Sequence, residues 1–202
     1  MVLASDKDIE FALRGLFGRY QALEIRPVDF EVVVHPNRDP GCYHTSHELL
    51  APYAGECDHA LVVFDRAWEG APSNSPAELA RHVEEQLQGV WGDRGRSIVI
   101  DPEVEVWVWS DSPHVASALG WDDRIPNLRA WLDQAGLWPF AQRKPPDPKV
   151  AFLSALRQAK LPPSAAIFRR LADTVSLHRC EDPSFRALRD LLRFWFATAE
   201  RS

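Results

Sequence analysis

Short apolar runs alternate with segments of helical periodicity over the first half of the chain. Four of these runs predict β-strands: Val2–Ala4, Phe30–Val34, Leu61–Phe64 and Ser97–Ile100. They lack the strict alternation of apolar and polar residues, which is typical of strands that helices cover on both faces. The repeated order of strand and helix predicts an α/β fold with a mostly parallel sheet of about four strands.

Helical periodicity fills the segments between these strands. Lys7–Tyr20 carries an apolar face and follows Asp6, which is a suitable N-cap residue. A shorter helix is predicted over Thr45–Ala54, after a segment rich in turn-forming residues at Asn37–Gly41. Another helix is predicted to begin at Pro76, because proline is favoured in the first helical turn.

The second half of the chain is helical from Pro113 onward. The predicted helices are Val115–Leu119, Leu128–Ala135, Lys149–Gln158, Pro162–Leu177 and Pro183–Ala199. We therefore expect an α/β core over residues 1–112 and a helical C-terminal extension over residues 113–202, packed on the same domain. Residues 102–110 fit a helix or a strand, and the valines and tryptophans there favour the strand.

Composition and charge narrow the class of protein. The chain has 202 residues, of which 46% are apolar and 26% charged, as in an ordinary globular protein. Its net charge of −6 argues against a general nucleic-acid binder, because such proteins are usually basic. We find no apolar run of membrane-spanning length, no secretory signal and no CxxC pair, so we expect a cytoplasmic protein.

Carboxylates follow the predicted strands. Asp8 comes after the first strand, Asp65 and Glu69 after the third, and Asp101 after the fourth, while Glu105 could face the same edge. Because parallel strands end together, we expect a Mg²⁺ site there, with Asp65, Glu69, Asp101 and Asp8 as ligands. Asp65, Glu69 and Glu105 are the predicted catalytic acids for metal-assisted phosphoryl transfer or phosphodiester hydrolysis. The structural alternative is that these acids cap helices and turns.

Two further groups of residues suggest ligands. Arg38 and Arg66 could bind the phosphate of a nucleotide. His35, His44 and His47 could hold zinc, although no HExxH motif supports them. The sequence also lacks GxxxxGK[ST], GxGxxG and GxSxG, which argues against P-loop enzymes, the usual Rossmann dehydrogenases and α/β-hydrolases.

Several segments resemble the TOPRIM-related domain-of-unknown-function 4276 family. Val2–Asp8 is similar to its opening strand and helix, Leu61–Glu69 to its strand ending in acids, and Ile100–Trp107 to its Pro-Glu-x-Glu-x-Trp segment. Asp147–Lys149 and Arg179–Phe185 follow the outline of the family's helical tail. The resemblance implies a Rossmann-like TOPRIM sheet and, as in working TOPRIM enzymes, Mg²⁺-dependent cleavage or rejoining of nucleic acid.

The sequence departs from the family pattern at two acids. Ala4 or Ser5 stands where the first glutamate is expected, and Ala67 stands where a second acid is expected after Asp65. Mg²⁺ binds weakly when such carboxylates are missing. Two functions therefore remain open: a divergent metal-dependent nuclease, and a catalytically inactive scaffold or sensor.

A second set of segments resembles small components of methylation-associated anti-phage defence systems. These segments are Arg38–Gly41, Phe64–Arg66, Trp91–Arg94 and Trp107–Asp111. The resemblance implies a bacterial protein whose partners are other defence-system proteins, with nucleic acid or a nucleotide as a further ligand.

Overall fold

Four parallel strands form one sheet. The computed structural model describes residues 1–110 and 112–198. The strands are β1 Val2–Ala4, β2 Val32–Val34, β3 Ala60–Asp65 and β4 Gly95–Ile100, and their order in the sheet is β2-β1-β3-β4. The predicted α/β fold with a parallel four-stranded sheet is therefore confirmed.

Helices cover both faces of this sheet. They are α1 Lys7–Phe17, α2 Tyr20–Leu23, α3 Arg38–Leu50, α4 Pro76–Trp91, α5 Glu105–Val108, α6 Pro113–Ala118, α7 Leu128–Gln134, α8 Pro148–Ala159, α9 Ala165–Thr174 and α10 Pro183–Trp195. Helices α3 and α4 pack on one face, whereas α1 and α10 contact the strands from the other. No helix within the described residues is long and apolar enough to cross a membrane.

Successive side chains of the strands supply two separate apolar cores. Leu3, Val62 and Phe64 point into the core formed with α3 and α4. Leu61 and Val63 point into the larger core, to which α1 and the helical extension contribute. All five are buried, so each strand residue stabilises one of the two helical layers.

The helical extension joins the α/β core mainly through α9, which packs along α1. A Cβ atom placed on Gly15 of α1 would lie only 2.6 Å from the Cβ atom of Ala172 in α9. Glycine at this position allows the two helices to approach closely. Helix α1 therefore lies between the sheet and the extension, and both contribute to its burial.

Two boundaries in the first half differ from the prediction. The segment Asn37–Gly41 was expected to be a turn, but α3 begins within it at Arg38 and runs to Leu50, with a kink at Thr45. The helix predicted over Lys7–Tyr20 ends at Phe17 and is capped by Asp6, whose side chain accepts from the Ile9 N–H, as predicted.

The strand favoured for residues 102–110 is wrong, because Glu105–Val108 is a short helix. Two tryptophans hold this helix against the extension: Trp107, within it, donates from Nε1 to Ser184 Oγ, and Trp109, directly after it, donates from Nε1 to the Pro148 carbonyl oxygen. Tertiary packing thus outweighs the β propensity of valine and tryptophan. Asp111 and Ala199, which end two of the predicted segments, lie outside the described residues.

Candidate functional site

The order of the strands places a crevice between the carboxyl ends of β1 and β3. The chain leaves β1 toward β2 on one side and returns to β3 on the other. Open α/β sheets bind their ligands at such a topological switch point. Ser5 follows β1, and its N–H donates to the Val63 carbonyl oxygen at 3.1 Å, while Asp65 ends β3. The carboxyl edge predicted from the sequence therefore contains the candidate binding site.

Asp65 occupies the centre of this edge. It is only 7% exposed, and its N–H donates to Asp39 Oδ1 at 2.9 Å. Burial, followed by the charges of Asp39, Asp6, Glu105 and Glu103, raises the pKa of its carboxyl group well above the usual range. Its Oδ1 atom is buried without a hydrogen-bond partner among the described residues. A buried acceptor left in this state is costly unless a ligand satisfies it.

Two further carboxyl groups lie in the same electrostatic environment. Burial raises the pKa of Glu105 to about 7, with Glu103 and Asp8 adding to the rise and Lys149 opposing it. Burial and the charge of Asp6 raise the pKa of Asp8 to about 6, again against Lys149. These mutual effects show that the side chains are close enough for their charges to interact. We call this group the acidic cluster: Asp6, Asp8, Asp39, Asp65, Glu103 and Glu105.

A cleft of about 390 Å³ opens beside the acidic cluster, between the ends of β1 and β2. Its lining residues are Ser5, Asp6, Lys7, Asp8, Val34, His35, Pro36 and Arg38. Ser5 is fully buried, and its Oγ atom has no partner in the described part of the chain. The exposed Arg38 guanidinium lies on this side and lowers the pKa of Asp8, opposing the effect of burial. The cleft therefore offers an exposed cation next to the carboxylates.

The acidic cluster offers the oxygen ligands that Mg²⁺ prefers, but it lacks a complete ligand set. Within residues 1–110 and 112–198, no three His, Cys, Asp or Glu side chains are arranged to bind a metal directly. Mg²⁺ differs from zinc in this respect, since it keeps several waters and commonly uses only one or two carboxylates plus substrate phosphates. Asp65, with its unpartnered Oδ1 atom, and the neighbouring Glu105 are the residues that could hold such an ion.

Two of the predicted site residues lie outside the acidic cluster. Glu69 is exposed in the loop after β3, and the charges that dominate the pKa of Asp65 come from other residues. Asp101 is largely exposed, and its Oδ1 atom is 3.4 Å from Arg66 Nη1. Arg66 also donates to the Asn74 carbonyl oxygen, so its guanidinium is engaged in local contacts. The structure brings together Asp65, Glu105 and Asp8 but not Glu69 or Asp101.

The three histidines do not form a zinc site among the described residues. The Nδ1 atom of His35 accepts from the Asn37 N–H, and its Nε2 atom is 3.1 Å from Thr45 Oγ1. Burial lowers the pKa of His35, which favours the neutral ring. A Cβ atom on Gly41 would lie 2.0 Å from this ring, so the histidine is packed tightly against α3. His35 therefore stabilises the turn from β2 into α3.

Asp39 and Lys149 are among the members of the site that were not predicted from the sequence. Asp39 comes after β2 as Asp65 comes at the end of β3, so the same strand-end rule could have identified it. Asp39 was missed because Asn37–Gly41 was predicted to be a turn. Lys149 lies in the helical extension, and its Nζ atom contacts Glu103 Oε1. No local pattern relates a lysine in α8 to a glutamate 46 residues earlier.

The chain matches none of the family models, curated proteins or solved structures with which it was compared. The resemblance to the TOPRIM-related family stays a prediction from short motifs.

Proposed function

We propose that this protein is a divergent Mg²⁺-dependent enzyme that cleaves phosphodiester bonds in nucleic acid. The observation that carries the proposal is the Asp65 carboxyl group. It is buried at the topological switch point, surrounded by other acids, and has one oxygen without a hydrogen-bond partner in the described residues. A divalent cation would satisfy that oxygen and favour the ionised forms of the neighbouring carboxyl groups.

The residues of the chain take distinct roles in this proposal. Asp65 and Glu105 hold the ion, and Asp8 adds a carboxylate on the side of the cleft. When bound, Mg²⁺ supplies Lewis-acid stabilisation of the phosphoryl oxygens and lowers the pKa of a bound water. Arg38, exposed at the rim, orients the phosphate within the cleft. Glu69, Asp101 and Arg66 have no part in it.

The net charge of −6 limits the kind of nucleic-acid complex that we propose. A strongly acidic chain gains little from sequence-independent attraction to a phosphate backbone. The cleft of about 390 Å³ suits a strand end or a single-stranded segment better than a long duplex. We therefore expect substrates that place one phosphate at the switch point.

The biological setting is a separate part of the proposal. Its support is the sequence resemblance to components of anti-phage defence systems, together with the TOPRIM-like order of motifs. On this basis the protein acts in the bacterial cytoplasm with other defence-system proteins as partners.

The decisive experiment measures metal binding and cleavage together. Purified protein is incubated with labelled single-stranded and duplex DNA and RNA, in Mg²⁺, in Mn²⁺ and in EDTA. We expect metal-dependent cleavage that Asp65→Asn abolishes, since this variant keeps the size of the side chain. Asp190→Asn is the matched control because Asp190 is exposed on α10. Absence of cleavage and of Mg²⁺ or Mn²⁺ binding in calorimetry would overturn the proposal.

A second candidate function is a catalytically inactive scaffold or nucleotide sensor. The observation that favours it is the missing second acid at Ala67, together with the incomplete ligand set of the acidic cluster. In that case the cleft beside Arg38 binds a nucleotide phosphate without cleaving it. Nucleotide binding that Arg38→Gln weakens, with no turnover in any metal, would favour this candidate.

A further inference from the structure

The first turn of α8 carries a lysine where helix electrostatics disfavour it. Lys149 is the second residue of this helix, two residues after the N-cap Asp147. The N-terminus of a helix bears a partial positive charge, so cations are unfavourable there. Lys149 nevertheless directs its Nζ atom to Glu103 Oε1, in the segment that follows β4. Its contact with the acidic cluster is what offsets the unfavourable position.

The start of α8 is fixed in place by the same segment that carries the acids. Trp109 Nε1 donates to the Pro148 carbonyl oxygen at 3.0 Å, and this hydrogen bond is buried. Helix α8 also packs against α5, which contains Glu105. The backbone immediately before Lys149 is therefore tied to the element that holds one of the candidate ligands. The fold thus fixes the N-terminus of α8, and the partly exposed Lys149 side chain is held at the edge of the acidic cluster by its ion pair with Glu103.

The acidic cluster stabilises the charge of Lys149. Burial works against the charged form, but the hydrogen bond to Glu103 and the charges of Glu105, Glu103 and Asp65 outweigh it and raise the pKa of the ammonium. In return, the lysine lowers the pKa of both Asp8 and Glu105, against the effect of burial. One cation of the extension thus interacts with carboxyl groups contributed by α1, β3 and the segment after β4.

We propose that Lys149 is a positioning residue, a cation of the chain itself that competes with a divalent ion for the acidic cluster. This inference rests on the site of the proposed function. It assigns the helical extension a role in that site, because the extension sets how tightly the carboxylates bind a cation. A lysine in this place also supplies positive charge where the sequence lacks the acids for a fuller metal site.

The test compares divalent-ion binding in metal-free variants at pH 8, with Mn²⁺ alone as the probe and calorimetry or the electron paramagnetic resonance signal of free Mn²⁺ as the readout. Lys149→Met removes the charge and keeps a similar length. We expect it to bind Mn²⁺ on the order of tenfold more tightly than the native chain, because a nearby like charge is removed. Arg157→Met is the matched control on the same helix, since Arg157 is exposed. It should change the affinity by less than about twofold.

Each outcome separates this inference from the proposed function. If the native chain binds Mn²⁺ and Lys149→Met binds it no more tightly, the role of Lys149 is wrong and the metal site stands. If only Lys149→Met binds, the competition is supported and the native chain is not a metal enzyme. Absence of binding in both variants overturns both proposals. Lys149→Arg keeps the charge and should retain native affinity, and Lys149→Gln gives the same test if the methionine variant does not fold.

Discussion

Glu105 makes the stability of the metal-free protein depend on pH in a direction that can be calculated. Its side chain is 5% exposed, and burial raises its pKa from the ordinary 4.5 to about 7. Below about pH 4.5 the carboxyl group is protonated in both the folded and the unfolded states, and its burial costs little. Between pH 4.5 and 7 the unfolded state ionises first, so stability is lost as the pH rises. The loss is about 3 kcal/mol.

Replacement of this carboxyl group by an amide removes that loss. We expect Glu105→Gln to show a smaller fall in the free energy of unfolding between pH 5 and pH 8 than the native chain, by about 2.5 kcal/mol. Urea unfolding in EDTA, followed by tryptophan fluorescence, measures it. Glu85→Gln is the control because Glu85 is exposed on α4. If the native chain and Glu105→Gln show the same pH dependence, the assignment of Glu105 to a desolvated acidic cluster is wrong.

Two further predictions concern close approaches of the backbone, and urea unfolding tests both. Gly41→Ala would place a Cβ atom 2.0 Å from the His35 ring, and we expect the free energy of unfolding to fall by about 1–3 kcal/mol. Gly89→Ala is the control, because nothing lies within 4 Å of the added Cβ atom, and it should instead raise the free energy of unfolding by roughly 0.5–1 kcal/mol. If the two changes have similar effects, the tight packing of His35 against Gly41 is wrong. Gly15→Ala should separate α1 from α9 at a cost of about 1–3 kcal/mol, and Ala172→Gly should restore part of it in the double variant. Strict additivity of these two changes would show that the helices do not touch there.

The fold was predictable because its signals are local. The apolar runs at Leu61–Phe64 and Ser97–Ile100 are too short for helices, and the helices between the strands show clear periodicity. Residues 105–108 show where this reasoning fails. Their composition favours a strand, but Trp107 within the segment and Trp109 directly after it are hydrogen-bonded to distant parts of the extension. A pattern within ten residues contains no information about those partners.

The site was predictable only at its centre. Asp65 could be found because it ends a buried strand of apolar residues, and the strand-end rule places such a residue at the binding edge. Asp101 satisfies the same rule, but its side chain faces Arg66 and solvent. Strand ends fix where a backbone lies and leave the direction of the following side chains open. Lys149 obeys no strand-end rule, since the packing of α8 on α5 brings it to the site.

The packing of α9 on α1 has a consequence for how the chain is made. The two helices lie near opposite ends of the sequence, so α1 leaves the ribosome long before its partner exists. At about 5–20 residues per second, the buried face of α1 waits on the order of ten seconds for α9. During that time the apolar side chains of Ala12 and Leu16, which lie beside Phe168 and Leu171 of α9, lack part of their final cover. Residues 1–112 form a separate unit in the sequence pattern, but we expect them to need the extension for stable folding.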